Sequence, residues 1–175
     1  MVGWLDRLLG RPGAVSFRRY LPAVADAADA ERRMAALGDA GLLAAARGTE
    51  SLAAIREAAK CTIGERPFDE QLLDGCAVEM DTGEGKTLAG ALAAAGFALQ
   101  GRRVHVLSVN DYLAKRDAEW MAPFYALLGI TVAWVGQSSA QGQRRRAYLS
   151  DVLYAPVSEV GYDVLRDRFA MSNEE

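Results

Sequence analysis

The segment Met80-Asp81-Thr82-Gly83-Glu84-Gly85-Lys86-Thr87 brings two glycines, a lysine and a threonine close together. Glycines let a backbone curl until successive N–H groups converge on one anion, with no side chain blocking the approach. A helix that starts at such a point adds the partial positive charge of its N-terminus. A lysine ammonium placed there reaches the β- and γ-phosphates of a nucleotide, and a threonine hydroxyl can bind the accompanying magnesium ion. Gly85, Lys86 and Thr87 complete the pattern G-x-x-x-x-G-K-[ST], with Met80 standing at its first glycine. The expected nucleotide-binding residues are therefore Gly83, Glu84, Gly85, Lys86 and Thr87, with Thr87 as the magnesium ligand. The competing explanation is a glycine-rich turn carrying an incidental lysine. What favours phosphate is the context, a short apolar run before the loop and a helical pattern after it.

Further upstream, Arg66-Pro67-Phe68-Asp69-Glu70-Gln71-Leu72 places a glutamine shortly before the loop. Its amide offers one donor and one acceptor face, which suits the paired donor and acceptor on the adenine edge. A glutamine at a helix end is otherwise simply solvated.

The elements that must position these groups follow from periodicity. Trp4, Leu5, Leu8 and Leu9 have helical spacing, and the Ala-rich stretch Arg18 to Ala46 reads as helix with a break near Gly38 to Gly41. Ser51 is expected to cap a helix with Leu52, Ile55 and Ala59 on its apolar stripe. From Cys76 the character changes. Strands are expected at Cys76 to Met80, Val104 to Val109, Ile130 to Val135 and Asp151 to Ala155, with helices between them. Asn110 or Asp111 caps the helix that runs to about Leu128, and Ser158 caps the last one. Alternating strands and helices imply an α/β fold, a parallel sheet with helices on both faces and right-handed crossovers. The expected organisation is a helical segment over residues 1–50 and a nucleotide-binding lobe over 51–175.

Among the remaining residues, His105 is expected to be packed in its strand, and Trp120, Phe124 and Leu128 are spaced for a helix–sheet core. Arg144, Arg145 and Arg146 read as a solvated helix face. The Trp4 to Leu9 stripe, with Arg7 and Arg11, could lie on an anionic lipid surface or dock on a partner lobe.

Composition narrows the class. The 175 residues are 51% hydrophobic and 25% charged, with a formal net charge of -3, which fits a globular domain and argues against a dedicated nucleic-acid binder. Cys61 and Cys76 stand apart and form no metal-ligand cluster with His105. The apolar run Leu88 to Leu99 is too short for a bilayer, so a cytoplasmic protein is expected.

Four stretches, in order, resemble the SecA family of preprotein translocase ATPases. Glu79-Met80 with Thr82 to Thr87 is similar to its phosphate loop, where methionine also replaces the first glycine. Val104-His105-Val106, Val109 to Ala114 and Arg116 to Glu119 resemble its next motif. Gly161-Tyr162-Asp163 with Leu165-Arg166-Asp167 resembles the one after that. Arg56-Glu57-Ala58, Arg66, Phe68-Asp69 and Gln71-Leu72 match upstream. The resemblance implies a RecA-like lobe of a P-loop motor that binds ATP or ADP with Mg²⁺ and drives preproteins through the SecYEG channel. It implies peripheral attachment at the cytoplasmic face of the membrane, Gln71 as adenine reader, and no nucleic-acid partner. The chain departs from the family in a shortened link between Gln71 and Glu79, in Asp81 beside the loop, and in Ala155-Pro156-Val157. It also has no Asp-Glu-Val-Asp segment, so the isolated chain is expected to bind nucleotide without hydrolysing it. The divergent, shortened N-terminal region points to an accessory paralogue. Two other classes stay open: a superfamily 2 helicase lobe, and a catalytically silent nucleotide-binding or interaction module.

An adenine reader at Gln71 predicts base selectivity, because a buried amide facing guanine is left with unpaired groups. In competition binding, ADP should displace a labelled nucleotide far better than GDP. Equal competition would remove Gln71 from the base site.

Overall fold

A computed structural model describes residues 21–72 and 80–169. The expected strand from Cys76 and the Trp4 to Leu9 stripe lie outside these residues, apart from Met80, which is not in a strand. The chain opens with α1 (Leu21–Ala35), α2 (Asp39–Ala46) and α3 (Ser51–Ile63), followed by the single turn α4 (Asp69–Leu72). The long α5 (Lys86–Leu99) leads to β1 (Val104–Ser108), then α6 (Asp111–Leu127), β2 (Val132–Trp134), α7 (Gln141–Ala147), β3 (Val152–Pro156) and α8 (Val157–Phe169).

The described strands form one parallel sheet in the order β1-β3-β2, with Val104 and Val132 both opposite Val152. Lying between the other two, β3 is buried along its whole length, and its sequence is accordingly a continuous apolar run. Its side chains alternate between two cores. Val152 and Tyr154 join Val104, Val106, Val132 and Trp134 against the helices α1, α2, α3, α5 and α6. Leu153 and Ala155 point the other way, towards Ala147, Tyr148 and Val160 on the α7–α8 side. The fold is the α/β lobe expected, with helices on both faces of a parallel sheet. Residues 21–46 contribute Ala27, Ala30, Met34, Leu42 and Ala46 to the larger core.

Local signals explain most boundaries. Asn110 is extended and its side chain accepts the Leu113 N–H at 2.9 Å, which caps α6. The adjacent Asp111 carboxylate accepts the Gln137 N–H at 2.7 Å and so ties the start of α6 to the loop after β2. Asp151 binds both the N–H and the hydroxyl of Thr131, which clips together the starts of β2 and β3; these bonds hold its carboxyl below the ordinary range.

Several expectations are corrected. Ser51 is the first residue of α3 and Glu50 holds the cap position, without a side-chain bond. Ser158 lies within α8, which already begins at Val157. Trp120 is exposed, whereas Phe124 and Leu128 are fully buried; Met121 and Tyr125 occupy the inward face instead. His105 is also exposed, edge-on to Tyr148 at 5.6 Å between rings, because alternate residues of β1 face out.

Arg144 is the largest correction. It is buried, while Arg145 and Arg146 remain exposed. Its guanidinium donates to Asp163 at 2.8 Å, to Glu159, and to the carbonyls of Gly136 and Ser139 at 2.7 and 3.1 Å. Burial works against its charge, and the two carboxylates outweigh that effect, so its pKa is raised. Tyr148 and Arg166 also donate to Asp163. The Gly161 to Asp167 motif thus supplies the acceptor of a buried network that fastens α8 to α7 and to the loop after β2.

Removing one charge from such a network leaves its partners under-satisfied. Asp163→Asn should cost roughly 1.5–3 kcal/mol in urea unfolding, with Arg144→Met losing a comparable amount and the double variant losing less than the sum. Additive losses would show that the network is not coupled.

Candidate phosphate-binding site

The loop before α5 is a tight turn. The Glu84 N–H donates to the Asp81 carbonyl at 3.2 Å, and the Glu84 carboxylate folds back to accept the Asp81 N–H at 2.7 Å. Gly83 and Gly85 have φ of 93° and 81°, a left-handed conformation that side-chain-bearing residues rarely adopt. Gly85 is the cap of α5, and with no side chain it makes no cap bond. The first N–H groups of a helix have no partner within the helix. Among the described residues no side chain takes their place, so α5 presents them, with its positive end, beside the loop.

Lys86 is the first residue of α5 and is exposed; its Nζ donates to the Asp81 carbonyl at 2.6 Å. Thr87 follows, half-buried. The ammonium therefore lies across the mouth of the turn, held by one exposed hydrogen bond that an incoming anion can replace. The Glu84 carboxylate has a local role, satisfying a backbone donor, and carries no contact to Lys86 among the described residues.

Gln71 lies against this loop and is 6% exposed. Its Oε1 accepts the Phe68 N–H at 2.8 Å, and its Nε2 donates to the Glu84 carbonyl at 3.0 Å. A Cβ added at Gly85 would stand 2.7 Å from that Nε2, so Gly85 admits the amide as well as the backbone turn. Gln71, Glu84, Gly85 and Lys86 are thus brought together in one cluster, with Gly83 and Thr87 in the same turn and helix start. Phe68, one turn from Gln71, is 67% exposed.

Sequence reasoning treated Arg56 only as part of a motif. It is the largest fully buried side chain, on α3, and pairs with Asp69 at the start of α4. Its Nε and Nη1 have no hydrogen-bond partner among the described residues. The one signal that could have marked it is its position inside the apolar run Ala53 to Ala59, all of it buried. Between α3 and α5 an apolar cavity of about 230 Å³, lined by Leu52, Ile55, Leu72, Leu92 and Phe97, reaches Gln71.

The residues fit a magnesium nucleotide: an uncapped helix N-terminus, left-handed glycines that keep side chains clear, a reachable ammonium and an adjacent hydroxyl. Gly85→Ala should weaken binding of Mg–ADP at least tenfold in calorimetry, since a Cβ there meets both an unfavourable φ and the Gln71 amide. Unchanged affinity would mean the loop is not the anion site.

Residues 17–175 match the SecA DEAD-like domain family. The chain is 52% identical over 194 residues to protein translocase subunit SecA 2 of Thermobifida fusca, covering all of this chain and 25% of that protein. It is 51% identical over 180 residues to SecA 2 of Mycolicibacterium smegmatis and 49% identical over 180 residues to SecA of Mycobacterium avium, in each case covering 93% of this chain and 23% of the relative. The chain therefore spans about a quarter of the length of these curated relatives. With a parallel α/β lobe, a glycine-capped helix at the loop and a family match over nearly all its residues, this chain belongs to the SecA family.

Proposed function

We propose that these residues form the nucleotide-binding part of a SecA-type motor that couples ATP hydrolysis to preprotein translocation through the SecYEG channel. The observation that carries the proposal is the glycine-capped N-terminus of α5, whose first N–H groups meet no side chain among the described residues and whose Lys86 ammonium bonds back to the turn. Lys86 leaves the Asp81 carbonyl for the β- and γ-phosphates, a stronger, charge-assisted contact. The loop N–H groups hold the β-phosphate, and Thr87 binds the magnesium ion. Bound Mg–ATP supplies the phosphoanhydride whose cleavage drives the motor. Gln71, already buried against the loop, turns its remaining N–H and lone pair to adenine.

Work at a membrane fits the translocase names of the relatives, and the proposed location is the cytoplasmic face, by peripheral association. No helix among the described residues is long and apolar enough to cross a bilayer. Hydrolysis also requires carboxylates that hold the metal and polarise water, and cations that neutralise the departing phosphate. The proposed role of the 175 residues by themselves is binding, not turnover.

The test is calorimetry and phosphate release on the purified chain. Lys86→Ala should lose about 2–5 kcal/mol of Mg–ADP affinity, the effect of removing a desolvated charge contact. Neither protein should release phosphate at the rate of a motor ATPase. Equal affinities would refute the loop assignment, and Lys86-dependent turnover would place the hydrolytic groups within this chain.

A further inference from the structure

We infer that Gln71 is a positioning residue of the phosphate loop: it sets the loop's geometry for phosphate before any base is bound. The inference rests on the phosphate reading of the loop and adds a role that adenine recognition does not require.

The geometry carries it. The amide is buried, and both of its ends are held by backbone groups: the Phe68 N–H on the oxygen and the Glu84 carbonyl on the nitrogen. The two partners differ in kind, one donor and one acceptor, so the amide can sit only one way round. The Glu84 carbonyl belongs to the peptide immediately before Gly85. Holding that carbonyl fixes the plane of the Glu84–Gly85 peptide, and with it the direction of the Gly85 N–H at the helix start. Gly85 is left-handed, and a Cβ there would collide with the Gln71 nitrogen at 2.7 Å, so loop and amide are fitted to each other.

The support continues inward. Gln71 lies on α4, whose first residue, Asp69, pairs with the buried Arg56 of α3. The loop is thereby connected through two side-chain contacts to a helix in the main core. Without Gln71, the Glu84 carbonyl loses a buried donor, the side-chain bond that the described residues make to it. The amide keeps one further N–H and one further lone pair, so under the proposed function base recognition and phosphate grip would share one group.

A ligand without a base separates the two roles. Calorimetry with Mg–tripolyphosphate and with Mg–ATP is to be run on the full chain, Gln71→Met and Lys86→Ala. Methionine keeps the length and bulk of glutamine and lacks the amide. Gln71→Met should bind tripolyphosphate about tenfold more weakly than the parent, with a melting temperature within a few degrees of it. Full tripolyphosphate affinity in Gln71→Met, with only ATP weakened, overturns the inference and leaves Gln71 as a base reader alone. If the parent fails to bind tripolyphosphate, or Lys86→Ala binds it equally well, the phosphate reading itself has failed. Should Gln71→Met not fold, the parent's own Gln71 side-chain amide resonances decide the matter. They should shift on addition of Mg–tripolyphosphate, and their constancy at saturation overturns the proposal.

Discussion

A fourteen-residue helix capped by a glycine finds no side chain among the described residues to satisfy its first N–H groups, and the rest of the site is arranged around that deficit. Water or an anion must meet those donors. The turn before α5 is closed by internal bonds, with the Glu84 carboxylate on the Asp81 N–H and the Lys86 ammonium on the Asp81 carbonyl. What the turn leaves open is the positive end of the helix. Held by these bonds, the loop is organised before a ligand arrives, and little reorganisation remains when it does.

Two buried arginines show how the lobe holds its parts in register. Arg144 meets two carboxylates and three carbonyls, and its charge is retained although burial opposes it. Arg56 meets one carboxylate among the described residues and joins α3 to the turn carrying Gln71. Each replaces a patch of apolar contact with directional bonds. Apolar packing would hold the helices together at many relative positions, and directional bonds select one. Tyr125 and Tyr154 make a third polar tie inside the main core, hydroxyl to hydroxyl at 2.9 Å, and burial raises both phenols above their usual range, Tyr154 to about 12.

The sheet places these ties with respect to the site. Because β1 and β2 both run parallel to β3, the loops after all three strands emerge at the same edge, where open α/β sheets bind ligands. Asp111 joins the segment after β1 to the loop after β2, and Arg144 joins that loop to α8 after β3. The motifs around Asn110 and Gly161 thus act as structural braces in this lobe.

The sequence by itself determined the class of fold and the conformation of the loop. Gly83, Gly85, Lys86 and Thr87 were legible because the turn they make is local: left-handed backbone, helix start and cation are specified within a few residues. Asn110 was legible for the same reason, as a cap acts three residues away. The positions of β1, β2 and β3 followed from short β-rich runs between helical patterns. Tertiary structure alone decided the remainder. Three arginines in a row read alike until α8 brings two carboxylates to Arg144 and leaves its neighbours in water. Trp120 has the spacing of its buried neighbours, yet the sheet meets the face carrying Met121, Phe124 and Tyr125. The hydrogen bond from Gln71 to the Glu84 carbonyl joins residues that local pattern cannot connect. Burial and long-range pairing depend on which face another element covers, and that is a property of the packed chain.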